Sequence, residues 1–224
     1  KNIIDERLTL ASALSLQTDV VGLDAMAISN AVTEFQGKNE DQLDNKGKEV
    51  FAILDVGELK ITIVIFRNNV PHFTREISIG GRDCTQKIMD ALNCSAQEAE
   101  EIKCHPGSRQ AEVFAACQGI MQNLVSEIRL SLDYFSSEDS SGVKVLADQL
   151  GAEESSQVSK IFLTGDNANC LMAREFFAKE LEVPAELWVP LAELEFADEA
   201  LREKFFENIN QLSVALGLAV TKND

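Results

Sequence analysis

The stretch LDVGELKITIVIF, residues 54–66, decides how the chain is read. Asp55, Gly57 and the alternating run that follows are what a β-hairpin needs to hold a phosphate, yet Glu58 stands where that phosphate would lie. Working outward, 50–56 and 60–66 read as apolar strands, and Asn68-Asn69 turns the chain into a third strand over 70–79. The spacing predicts a three-stranded antiparallel meander.

Composition limits what such a hairpin can serve. The chain has 224 residues, 45% of them hydrophobic, enough for one large domain or two small ones with a real core. Twenty Lys and Arg face 37 Asp and Glu, and the net charge of −17 argues against nucleic acid or anionic lipid as partners. Basic or apolar partners fit better. The five cysteines, Cys84, Cys94, Cys104, Cys117 and Cys170, form no C-x-x-C pair and are odd in number, which predicts reduced thiols in a cytosolic setting. No run approaches the ~18 apolar residues of a membrane span, and no charged-then-apolar leader stands at Lys1. The absence of a starting methionine suggests a piece of a longer protein.

The other elements follow from periodicity and caps. Residues 5–14 read as a short helix, 19–23 as a strand, and 24–35 as a helix capped by Asp24 and built on Ala25, Ala27 and Ala31. A polar linker over 37–48 separates them from the meander. Residues 83–92 and 95–103 read as helices, the second opened by a Ser95/Glu98 capping box. From 109 to 135 runs one helix of ~40 Å, its core stripe being Val113, Cys117, Ile120, Leu124, Ile128, Leu132 and Phe135. Residues 136–159 read as an acidic surface insertion. Then come a strand over 160–164, a helix over 167–181, a strand over 185–189 and a closing helix over 205–220 carrying Ala215, Gly217 and Ala219. The sum is a mixed α/β unit.

Seven segments in order carry a family resemblance. VVGLDAMAISNAV resembles a strand and first connecting helix, LDVGELKITIVIF a second phosphate hairpin, and FTREISIGGRDCTQKI and AQEAEEIK the strand and helices that follow. SEIRLSLDYF resembles the end of the long helix, FLTGDNANC an adenosine motif, and LSVALGLAV a second connecting helix. Together they resemble the actin-like ATPase superfamily and, within it, the PilM branch of type IV pilus assembly, related to the division protein FtsA. The resemblance implies an actin-like, ribonuclease H-like mixed sheet with flanking helices. That fold has two similar halves, and only the second is matched here. Residues 1–36 would be a remnant of the first domain with its connecting helix. Residues 49–224 would be the second domain, with the insertion at 136–159 and a closing connecting helix over 205–222.

The resemblance also names a site, which the residues only partly keep. Asp55 and Gly57 match the phosphate hairpin. Glu58 and Leu59 replace small residues, and Ile61 stands where a threonine is expected, with Thr62 one residue late and so on the opposite strand face. A carboxylate ~5 Å from a phosphate, at an effective dielectric of ~20, costs about 3 kcal/mol per phosphate charge, roughly a hundredfold in affinity. Lys60 could offset part of this by turning toward the pocket. Gly165 keeps the adenosine motif while Asp166 and Asn167 fill its small positions, and Asp166 also suits an N-cap. Glu100 and Lys103 match an Ala-Glu-x-x-Lys pattern that reaches nucleotide in relatives, and read equally as an exposed helical pair. The candidate nucleotide residues are thus Asp55, Gly57, Lys60, Glu100, Lys103, Gly165 and Asp166. No cofactor is expected, ATP and Mg being implied only if the site works, and no catalytic or metal-ligating residue is assigned.

Nothing else in the chain rivals this chemistry. His72 and His105 lack the spacing of a zinc site, and Trp188 reads as core. The resemblance implies a protein-binding platform component, cytoplasmic and peripheral at the inner membrane. Its implied partners are the cytoplasmic tail of a membrane-anchored, PilN-like pilus assembly protein, held in a groove formed mainly by the first half, and other platform proteins. The alternatives are an ATP-hydrolysing actin-like switch and another scaffold, either a type II secretion platform protein or an FtsA-like filament former.

Overall fold

The computed structural model describes residues 2–36, 50–142, 157–171, 173–189 and 195–221. One five-stranded sheet organises them: β1 (Val50–Val56), β2 (Ile61–Arg67), β3 (Val70–Ile77), β4 (Lys160–Thr164) and β5 (Ala185–Leu187), in the order β3-β2-β1-β4-β5. β1, β2 and β3 form the expected antiparallel meander, β4 runs parallel to β1, and β5 parallel to β4. Asn68 and Asn69 both take left-handed φ, 53° and 61°, as a tight hairpin requires and asparagine tolerates.

Both faces of the sheet are covered, which is why every residue of β2 is buried and five of its seven are apolar. On one face Ala52, Leu54, Ile63, Ile65 and Leu163 pack against α3 (Gly81–Leu92), α5 (Gln110–Gly142) and α6 (Ala173–Leu181). The expected stripe of α5 points inward, with Val113, Cys117, Leu124, Ile128 and Phe135 buried and Ile120 and Leu132 partly so. Arg75 of β3 reaches α5 at Glu127 (2.5 Å) and Ser131 (3.0 Å), fastening the helix to the sheet edge. α4 (Ala96–Cys104) begins with the Ser95/Glu98 capping box read from the sequence.

On the other face Phe51, Ile53, Val64 and Phe66 meet Ile28, Ala31, Val32 and Phe35 of α2 (Asp24–Gln36). α2 lies against α8 (Ser213–Ala219), the second expected connecting helix. The approach is close because Gly217 lacks a side chain: a Cβ there would stand 1.7 Å from the Ala27 carbonyl oxygen. Of the small residues, Gly217 and Ala27 face each other, while Ala215 and Ala219 are exposed.

Several expectations need correcting. Residues 19–23 form no strand; Val20, Val21 and Leu23 are exposed, and no described strand lies beside them to share backbone hydrogen bonds. The helix opens at Asp24, but the Leu23 carbonyl takes the first backbone bonds, while the Asp24 carboxylate pairs with Lys60 at 3.0 Å. Residues 167–171 make turns, not helix, because Leu171 takes φ 56° and α6 starts only at Ala173. The closing helix is broken into α7 (Glu199–Glu207), a 3-10 turn (Ile209–Gln211) and α8. Its break has a cause: the Asn210 carbonyl accepts from Gly165 N (2.6 Å) and Thr164 Oγ1 (2.9 Å), so it serves the sheet instead of a helix. α5 runs to Gly142, past its expected end at 135 and into the first residues of the expected insertion. The rest of that stretch up to 156, and the 37–48 linker, lie outside the described residues. α1 (Asn2–Ala13) matches the short N-terminal helix and buries none of its side chains.

Candidate functional site

Asp55 ends β1 on the α2 side of the sheet, directly opposite Thr62 in the antiparallel register and beside Thr164 in the parallel one. Ile61 and Thr62 do point to opposite faces, but Asp55 shares the face of Thr62, and Ile61 belongs to the core on the other side. The threonine that looked one residue late is therefore the one next to the aspartate. Thr62 is fully buried, and its Oγ1 has no hydrogen-bond partner among the described residues. Burial, then the neighbouring charges of Asp24 and Asp166, push the Asp55 carboxyl up from 3.8 to about 6, with Lys60 opposing.

The cations near this end of the sheet are already paired. Lys60 holds Asp24 at 3.0 Å and Glu76 at 2.5 Å. Glu58 leans across to Arg82 at the start of α3, 2.7 Å away, so the carboxylate expected to repel a phosphate is balanced by a guanidinium. Gly57 carries the turn itself, with its N–H donating to the Lys60 carbonyl at 3.0 Å.

Glu100 and Lys103 are more than an exposed helical pair. Lys103 is 1% exposed, and its Nζ donates to Glu100 (2.8 Å), Thr85 (3.0 Å) and the Gly81 carbonyl (3.3 Å). Burial works to raise the Glu100 carboxyl, but the hydrogen bonds from Lys103 and Thr85 outweigh it and hold it below the usual carboxylate range. The ammonium thus locks α4 onto the N-terminus of α3.

The loop after β4 closes the arrangement. Gly165 takes φ +95°, and a Cβ there would lie 2.5 Å from the Val56 carbonyl oxygen, so only glycine lets the loop press on the end of β1. Asn167 N–H donates to that carbonyl at 3.0 Å, and its side chain fills the space over Gly81. Asp166 caps no helix; its Oδ1 accepts from Asn167 Nδ2 at 2.8 Å. Further along, Cys170 is joined to Cys104 at the end of α4 in a disulfide, which corrects the expectation that all thiols are free; Cys84, Cys94 and Cys117 are. A cavity of about 440 Å³ opens beside the bridge, lined by Cys104, Phe114, Asn169, Leu171, Arg174 and Leu187, among others. Among the described residues no cluster of His, Cys, Asp or Glu could hold a metal ion, and no helix is long and apolar enough to cross a membrane.

An Asp-bearing hairpin, a Glu-x-x-Lys helix with its lysine buried and a glycine loop now converge on one end of a mixed sheet. The family model for type IV pilus assembly protein PilM matches residues 1–223. The chain belongs to the PilM family. A solved PilM-PilN type IV pilus biogenesis complex is similar in fold, with a TM-score of 0.66 and 21% identity over 93% of this chain and 55% of that one. So are MreB5 of Spiroplasma citri bound to ADP (TM-score 0.59, 10% identity, 96% of this chain and 63% of that one) and the ethanolamine utilization protein EutJ from Carboxydothermus hydrogenoformans (0.57, 13%, 95% and 58%). The fold is actin-like, and the chain spans a little over half the length of these structures.

Within this PilM-family site, sequence reasoning missed Asp24, Thr62, Arg82, Thr85 and the cysteine pair. Thr62 was hidden by parity, since a loop one residue longer or shorter would have put Ile61 beside Asp55. Cys104 and Cys170 lie 66 residues apart, and no spacing signals their contact.

Proposed function

We propose that this chain is the second half of a two-domain actin-like PilM protein, with residues 1–36 a remnant of the first domain. It acts as a protein-binding component of the pilus assembly platform, peripheral to the cytoplasmic face of the inner membrane. Its partner chemistry is that of a PilN-like protein's cytoplasmic tail: a basic or apolar segment suits a chain of net charge −17. The nucleotide site is degenerate. One observation carries that reading: Lys60 and Lys103, the two cations a phosphate would need, are each committed to carboxylates, while Asp24 and Asp166 crowd the retained Asp55. Those residues do not fit an ATP phosphate tail with its magnesium, and no hydrolytic step is derived through them.

The test uses the longer protein that carries this chain and a labelled peptide from a PilN-like tail. Fluorescence anisotropy should show binding that is the same with and without ATP and magnesium. Binding that appears only with the nucleotide would replace this reading with the ATP-driven switch.

A further inference from the structure

We propose that Cys104 and Cys170 form a redox-cleavable bolt that sets whether the 165–171 loop is held against α4. The bridge joins the end of α4 to the turn segment between β4 and α6. Three features place it where cleavage would matter. The loop it holds carries Asn167, which fills the space over Gly81 and bonds the end of β1, so movement there reaches the whole candidate site. Leu171, next to Cys170, sits at φ 56°, a left-handed conformation that a leucine adopts only when its surroundings impose it. Cys104 is half-buried and lines the cavity of about 440 Å³, whereas Cys170 is 3% exposed, so Cys104 is the side of the bridge open to attack.

The chemistry follows from that asymmetry. A dithiol reductant enters the cavity, and its thiolate attacks Cys104 Sγ. A mixed disulfide forms, the Cys104–Cys170 bond breaks, and Cys170 leaves as a thiolate that takes up a proton. The second thiol of the reductant then attacks the reductant's own sulfur in the mixed disulfide, expelling the Cys104 thiolate, which is protonated in turn. The protein gains two electrons and two protons, and the reductant leaves as its disulfide. Cys84 and Cys117 are buried and take no part. In a reducing compartment the bolt is open, and an oxidising episode closes it. The proposal does not rest on the nucleotide reading, because the bridge holds the loop whether or not a nucleotide binds.

The experiment compares the whole chain after diamide oxidation and desalting with the same chain in dithiothreitol. After oxidation, denaturation and alkylation, mass spectrometry should find three labelled cysteines, Cys84, Cys94 and Cys117, with Cys104 and Cys170 in one bridged peptide pair. Five labelled cysteines, or a different pairing, would overturn the proposal. By hydrogen exchange, the amides of Ala168, Cys170 and Ala173 should exchange about tenfold faster in the reduced chain, with those of β1 unchanged. Equal exchange in both states would overturn it as well. The variants Cys104→Ser and Cys170→Ser should behave as the reduced chain does whatever the redox state; protection matching the oxidised wild type in either would count against the bolt. Should a variant fail to fold, the two wild-type arms still decide.

Discussion

Two charged clusters stand within a few residues of each other, and they are built in opposite ways. Around Lys103 every polar group is answered: one buried ammonium, one carboxylate, one hydroxyl and one carbonyl. Around Asp55 the charges are alike, with Asp24 and Asp166 nearby, a Thr62 hydroxyl opposite that has no partner among the described residues, and Lys60 turned to Asp24 and Glu76. The first cluster stabilises the joint between α3 and α4. The second costs stability at neutral pH. On the reading proposed above, the first cluster is a structural joint and the second is what is left of a site.

The largest expected effect breaks the satisfied cluster. Lys103→Ala removes a buried, packed stem and the ammonium that neutralises Glu100, although Thr85 Oγ1 still donates to the Gly81 carbonyl at 2.9 Å, so denaturant unfolding should show a loss of about 2–4 kcal/mol. Next, Gly217→Leu should cost about 1–3 kcal/mol by overpacking against Ala27. Because it drives α2 outward and takes Asp24 with it, the same change should lower the Asp55 pKa, readable by carboxyl NMR.

An effect of similar size and opposite sign comes from Asp55→Asn. The folded-state pKa, about 6, lies above the ordinary 3.8, so the folded protein binds this proton more tightly than the unfolded chain does. The stability that proton brings is complete below pH ~4, falls as pH rises, and is gone above ~6. The asparagine variant should therefore match the wild type near pH 4 and exceed it by on the order of 1–3 kcal/mol at pH 7. A stability gap that closes as pH rises would contradict the crowding of Asp55. Smallest of all, Arg82→Ala removes an exposed pair with Glu58 and should change stability by less than ~0.5 kcal/mol.

The satisfied and unsatisfied clusters also mark how far the sequence could be read. Elements set by local pattern were legible: the 54–66 hairpin, the Asn68-Asn69 turn, the Ser95 capping box and the α5 stripe each depend on residues close in the chain. What depends on contacts between distant residues was not. Residues 19–23 have strand composition but, among the described residues, no strand beside them, and the 205–220 run has helical periodicity, but Asn210 gives its carbonyl to Gly165 and Thr164. In the site, Asp55, Gly165 and the Glu100–Lys103 pair could be picked out by the resemblance of their segments to the family's motifs. That Lys103 is buried and Lys60 turned away follows only from how α3, α4 and α2 pack.

Calorimetric titration of this chain with ATP and magnesium tests most directly whether the paired lysines have closed the site to phosphate. The account predicts no binding in the micromolar range, because a phosphate would have to displace a carboxylate from Lys60 or Lys103 while facing Asp24, Asp55 and Asp166. A clear micromolar isotherm would contradict it.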